Sequence, residues 1–87
     1  MNIFKRKPNG VDIANLLPGK DNADVGIVRN ALNKRYTSAL CPTGTNYDNI
    51  LLENVARYQS ELRNERTGVL TKDQLLKLAD EYHFNVN

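Results

Sequence analysis

One cysteine, one histidine and no tryptophan leave this 87-residue chain without the side chains that several kinds of chemistry require. With Cys41 alone, no intramolecular disulfide can form, and Cys41 with His83 cannot complete the ligand set of a structural zinc site. Cys41 reads as a partly buried free thiol beside Pro42. His83 reads as a helix-end residue whose charged form the helix dipole favours. There is no Gly-rich phosphate loop and no serine–histidine arrangement. No apolar run extends beyond a few residues, which excludes a transmembrane helix. The segment Met1 to Lys7 is charged and lacks the apolar stretch of a secretory signal. These absences describe a soluble, non-catalytic chain with no metal and no cofactor.

Charge of one sign is also scarce. The net charge is +2, and Lys5, Arg6 and Lys7 hold three of the twelve basic residues, so residues 8–87 carry nine basic against ten acidic side chains. A nucleic-acid-binding domain spreads basic residues along one face or helix, and this body is nearly neutral. A three-charge cluster is too easily screened to hold nucleic acid specifically. Beside Ile3 and Phe4, the cluster reads as a solvated tail, as a contact with an acidic lipid surface, or as an arm that docks on a protein neighbour through Ile3, Phe4, Lys5, Arg6 and Lys7.

What the chain does contain is helical periodicity. Residues 1–22 read as an arm, punctuated by Pro8-Asn9-Gly10 and Pro18-Gly19. Within it, Val11, Ile13, Ala14, Leu16 and Leu17 can make one turn that packs on the body. The domain proper is expected over residues 23–87. Val25, Val28, Leu32 and Tyr36 recur on one face and predict a helix over 23–36, capped by Asp21 or Asn22. Gly26 weakens that helix unless another backbone needs to approach it closely. After a loop over 37–48, Leu51, Val55, Tyr58 and Leu62 predict a second helix over 49–63. Glu53, Arg57 and Glu61 form an i,i+4 ladder on its solvated side. A third helix over 71–83 has the clearest start. Thr71 and Gln74 fit a capping box, and Leu70 and Leu75 occupy the hydrophobic-staple positions. Leu75, Leu78 and Tyr82 supply its buried face, with Leu76 or Ala79 alongside. Nothing alternates as a strand would. Three such stripes must bury one another, so the fold class is all-α: a compact three-helix bundle with an N-terminal arm. Val28, Leu32, Leu51, Val55, Tyr58, Leu75 and Leu78 are its expected core.

The order of three blocks resembles the peptidoglycan-binding-like domain family. Asp24-Val25-x-x-Val28-Arg29-x-x-Leu32 is similar to that family's first helix, Val-x-x-Leu-Gln-x-x-Leu. Tyr47-Asp48-x-x-Leu51-x-x-Asn54-Val55-x-x-Tyr58-Gln59 resembles Phe-Gly-x-x-Thr-x-x-Ala-Val-x-x-Phe-Gln. Thr67-Gly68-Val69-Leu70-x-x-x-Gln74-Leu75-x-x-Leu78 is similar to the ending Asp-Gly-x-x-Gly-x-x-Thr-x-x-x-Leu. The match covers residues 19–78. It departs from the family at Arg29, Asp48, Leu51 and Asn54, and Asn64-Glu65 replaces the usual Gly-Leu.

The resemblance implies a non-catalytic module that targets the bacterial cell wall, with peptidoglycan as its partner. The alternative is a structural or adaptor protein, such as a small component of a virus particle or envelope machine, that uses the bundle and arm for protein contacts. For a polar glycan or peptide, hydrogen-bonding groups beside an aromatic or apolar floor are needed. Asn46, Tyr47 and Asp48 in the long loop, with Arg63, Asn64 and Arg66 after the second helix, are the expected contacts. Tyr47 has a second reading, in which it packs beneath the loop.

Overall fold

Caps and apolar stripes together decide where the helices form. The computed structural model describes residues 10–37 and 40–87. Helix α1 spans Ala23–Tyr36, α2 spans Asn49–Glu61 and α3 spans Lys72–Tyr82, with no strand among the described residues. Each helix begins on a side-chain cap. Asn22 Oδ1 accepts from the Val25 amide at 2.9 Å, Asp48 Oδ1 from Leu51 at 3.0 Å and Thr71 Oγ1 from Gln74 at 3.2 Å. Gln74 returns the bond, accepting from the Thr71 amide at 2.9 Å, so the capping box is complete. A cap of this kind contributes about 1 kcal/mol.

The later two helices are shorter than their periodicity implies. Arg63 and His83 each take φ of 61°, a left-handed conformation that stops the helix just before it. Thr71 stands outside α3 as its cap.

The expected core residues Val28, Leu32, Leu51, Val55, Tyr58, Leu75 and Leu78 are all buried in one cluster, joined by Val25 and Tyr36 of the first stripe. Leu70 and Leu75, the staple pair, lie in the same cluster. On α3, Ala79 takes the buried flank and Leu76 is exposed.

Residues 10–22 pack on the helices. A short 3-10 turn over Ile13–Asn15 sends Val11 and Leu16 into the core and leaves Leu17 exposed. Asp24, in the first turn of α1, holds this segment by accepting from the Asp12 amide at 3.1 Å and from Asn15 Nδ2 at 2.8 Å. Val11 also forms a parallel bridge with Val86. The Val11 amide donates to Asn85 O at 2.8 Å, and the Asn87 amide to Val11 O at 2.9 Å. The expected docking residues Ile3, Phe4, Lys5, Arg6 and Lys7 lie outside the described residues.

Arg29 organises the loop after α1. The residue is 4% exposed, and its guanidinium donates from Nε to Pro42 O at 3.0 Å and from Nη1 to Asn46 O at 2.9 Å and Asp48 Oδ1 at 2.7 Å. The loop then crosses α1 at Gly26. A methyl group on Gly26 would stand 3.3 Å from Thr45 Cγ2, which explains the helix-weakening residue at that position. Asn33 Nδ2 and Asn54 Nδ2 hold the carbonyls of Cys41 and Leu40.

At the other end the three helix C-termini converge on Arg35. Its Nε donates to Glu61 of α2 at 2.7 Å, Nη1 pairs with Glu81 of α3, and the guanidinium lies 5.1 Å from the Tyr58 ring centroid. Tyr36 donates its hydroxyl to Glu61 at 2.9 Å, and Arg57 stacks on the Tyr36 ring at 4.8 Å. Glu61 and Arg57 thus serve α1 as well as their own helix. A cation set among three C-terminal ends is also favoured by the helix dipoles.

Two stability measurements check this packing. Leu75→Ala should cost about 2–5 kcal/mol in urea unfolding, and Val55→Ala less, because it vacates a smaller volume. An undiminished midpoint in Leu75→Ala would refute the assigned core face. The Tyr58 hydroxyl is buried and has no hydrogen-bond partner among the described residues. Tyr58→Phe should therefore leave stability unchanged or raise it by up to about 1 kcal/mol, whereas a clear loss would reveal a partner.

Candidate functional site

The turn between α2 and α3 is built around a fully buried amide, Gln59. Its Oε1 accepts from the Thr67 amide at 2.9 Å and the Gly68 amide at 3.0 Å. Its two amide hydrogens are shared among Val69 O at 2.8 Å, Thr67 Oγ1 at 3.0 Å and Gln74 Oε1 at 3.0 Å. Gln74 passes the network on, donating from Nε2 to Asn64 Oδ1 at 2.9 Å. Gly68 is required twice over. It holds φ of 81°, and a Cβ there would stand 2.7 Å from Leu52 Cδ2.

This scaffold leaves a cleft of about 360 Å³ between the end of α2, the turn and the first two turns of α3. Leu62 gives it an apolar wall, and Asn64, Thr67, Thr71 and Gln74 give it amides and hydroxyls. Glu65 from the turn and Asp73 and Lys77 from α3 bring both signs of charge to it, and all three are exposed. Thr71 Oγ1 accepts from the Gln74 amide, which leaves its hydroxyl proton for an outside acceptor.

The six residues expected to form one surface do not gather there. Tyr47 is only 2% exposed, and its hydroxyl donates to Gly68 O inside the domain, where burial pushes its pKa up to about 12. Its ring therefore packs beneath the loop, and Tyr47→Ala would read unfolding rather than binding. Asp48 is spent as the α2 cap and as the partner of Arg29. Asn46 is exposed, with its carbonyl held by Arg29. Arg63 ends α2. Arg66 donates to Ser60 Oγ at 2.7 Å and lines a different depression with Leu40, Ile50, Glu53, Asn54 and Arg57. Asn64 alone of the six lines the cleft. The contact between loop and turn is real, but it is internal, made through Tyr47 and Gly68.

Apart from Asn64, sequence reasoning missed every cleft residue: Gln59, Leu62, Glu65, Thr67, Thr71, Asp73, Gln74 and Lys77. The capping box and the Tyr58-Gln59 block are the available signals, and each has a purely structural reading.

Cys41 is fully buried, more so than expected, and burial raises its thiol pKa, so it has none of the character of a reactive thiolate. No group of three or more His, Cys, Asp or Glu among the described residues could hold a metal ion. No helix of the described residues is long and apolar enough to cross a membrane.

No family model matches the chain, and the curated proteins and the solved structures yield no significant match either.

Two carboxylates carry the acid sensitivity of this arrangement. The Leu51 amide, then Arg29, hold the Asp48 pKa below its ordinary value against the opposing effect of burial. At Glu61 burial pushes upward, and the bonds from Arg35 and Tyr36 outweigh it, so the net shift is also downward. A depressed folded pKa stabilises above the unfolded value and loses that contribution as pH falls through the folded one. The urea midpoint should therefore fall as pH drops below about 4, near the ordinary carboxylate values. Asp48→Asn and Glu61→Gln should each flatten the slope, and an unchanged slope in both would overturn these assignments.

Proposed function

We propose that this chain is a non-catalytic binding module that recognises peptidoglycan and uses the α2–α3 cleft to do so. The observation that carries the reading is the cleft itself. An apolar wall from Leu62 stands beside amides and hydroxyls from Asn64, Thr67, Thr71 and Gln74, the mixture a polar polymer needs. The resemblance of residues 19–78 to peptidoglycan-binding-like domains points to the same ligand. The buried network beneath the cleft holds the backbone of the turn rigid, which lowers the ordering cost of weak binding. Such a module raises the local concentration of whatever it is joined to or assembles with.

A second reading, that of a structural or adaptor protein in a virus particle or envelope machine, draws on a different surface. Leu40 and Ile50 are 45% and 44% exposed, and they flank the depression that Arg57 and Arg66 border. That combination suits a protein partner presenting apolar and acidic side chains.

Sedimentation with purified sacculi tests the lead reading. The intact protein should be retained, and Glu65→Trp, which sets an indole at the cleft mouth without removing a bond that builds the turn, should lower retention while leaving the circular dichroism spectrum unchanged. If the intact protein stays in the supernatant, the wall-binding reading fails and the adaptor reading stands.

A further inference from the structure

The cleft's charges stand outside the ion pairs that tie the helices together. Among the described residues, the side chains of Glu65, Asp73 and Lys77 make no hydrogen bond or ion pair, although Asp73 and Lys77 stand four residues apart on α3, a spacing at which opposite charges can meet. Arg29, Arg35, Asp48, Glu61 and Glu81 are all engaged in ion pairs. The cleft therefore offers a ligand one cation and two anions on walls set around an apolar residue.

Among the described residues it offers no aromatic ring. None of its lining residues is Phe, Tyr or Trp. Tyr36, Tyr47 and Tyr58 are buried elsewhere, and Tyr82 and Phe84 line a separate depression with Ile27, Ala31 and Lys34. A sugar ring presents an apolar C–H face that an exposed aromatic face complements, and its hydroxyls carry no charge. A short peptide presents carbonyls and amides, small apolar side chains and ionised groups of both signs.

Resting on the wall-binding reading above, we infer that the cleft takes the peptide of the wall polymer and not its glycan. Its ligand is a short peptide carrying both a free carboxylate, met by Lys77, and a free ammonium, met by Asp73 and Glu65. Asn64 and Thr71 supply hydrogen bonds to the peptide backbone between them. Charge-assisted bonds of this kind at an exposed site are screened by salt, so binding is strongest at low ionic strength.

The experiment uses the full chain with three probes: intact sacculi, glycan strands freed of peptide by an amidase, and the peptides that the amidase releases. Intact sacculi should retain the protein and the stripped glycan should not. The released peptides should shift the backbone amide resonances of residues 64–77 in two-dimensional NMR. Asp73→Asn and Lys77→Gln, both exposed and close in shape, should keep the spectrum of the folded protein and each weaken the peptide by about tenfold. Retention on stripped glycan equal to that on sacculi would overturn the inference while preserving wall binding. So would peptide binding that neither substitution weakens. Absence of retention on intact sacculi would remove the wall-binding reading and this inference together.

Discussion

The buried amide of Gln59 is the constraint on which the cleft end of the molecule depends. An unpaired amide in that position would cost more than the hydrogen bonds return, because its desolvation would go uncompensated. Every partner it takes lies in the turn or in α3: the Thr67 and Gly68 amides, Thr67 Oγ1, Val69 O and Gln74 Oε1. One side chain of α2 therefore dictates the backbone path of residues 67–69 and the position of the α3 capping box. Arg29 plays the corresponding part for the loop after α1, where Pro42 O, Asn46 O and Asp48 are fixed by a single guanidinium. Both groups are polar, buried and paired, and both replace regular secondary structure as the means of ordering a turn.

The helix C-termini are held differently. Arg35 joins the last turns of all three helices through Glu61, Glu81 and the Tyr58 ring, so the helix ends are tied by charge as well as by the core. Val11 and Leu16 of the N-terminal segment pack into the same core. With stability provided by these contacts, Glu65, Asp73 and Lys77 are left out of the internal bonding. Beside them the turn between α2 and α3 has a cleft with an apolar wall from Leu62.

The site was less legible than the fold, and Tyr47 shows why. Beside Asn46 and Asp48, it has the composition of a recognition loop, and composition is the same whether a ring faces outward or inward. The bond from its hydroxyl to Gly68 crosses 21 residues of sequence, and no local pattern reveals such a contact. Asp48 was ambiguous for the same reason. An aspartate before an apolar run is a cap by pattern, yet its second role, toward Arg29, is 19 residues distant. Asp73 and Lys77 belong to no sequence motif. Only the position of the turn beside α3 makes them the wall of a cleft.

The sequence alone determined the helices and their buried faces, because periodicity and caps are local properties of a chain. Val25, Val28, Leu32 and Tyr36 had to share one face of a helix, and Thr71 with Gln74 had to start another. It also excluded an intramolecular disulfide, since Cys41 has no partner of its kind. Tertiary structure alone decided which polar residues were consumed by the fold. Arg29, Asn54, Gln59 and Gln74 carry groups that would be solvated in an isolated helix, and all four are buried here. Burial obliges such groups to find partners, and the partners lie on other segments, at distances set by how the helices meet.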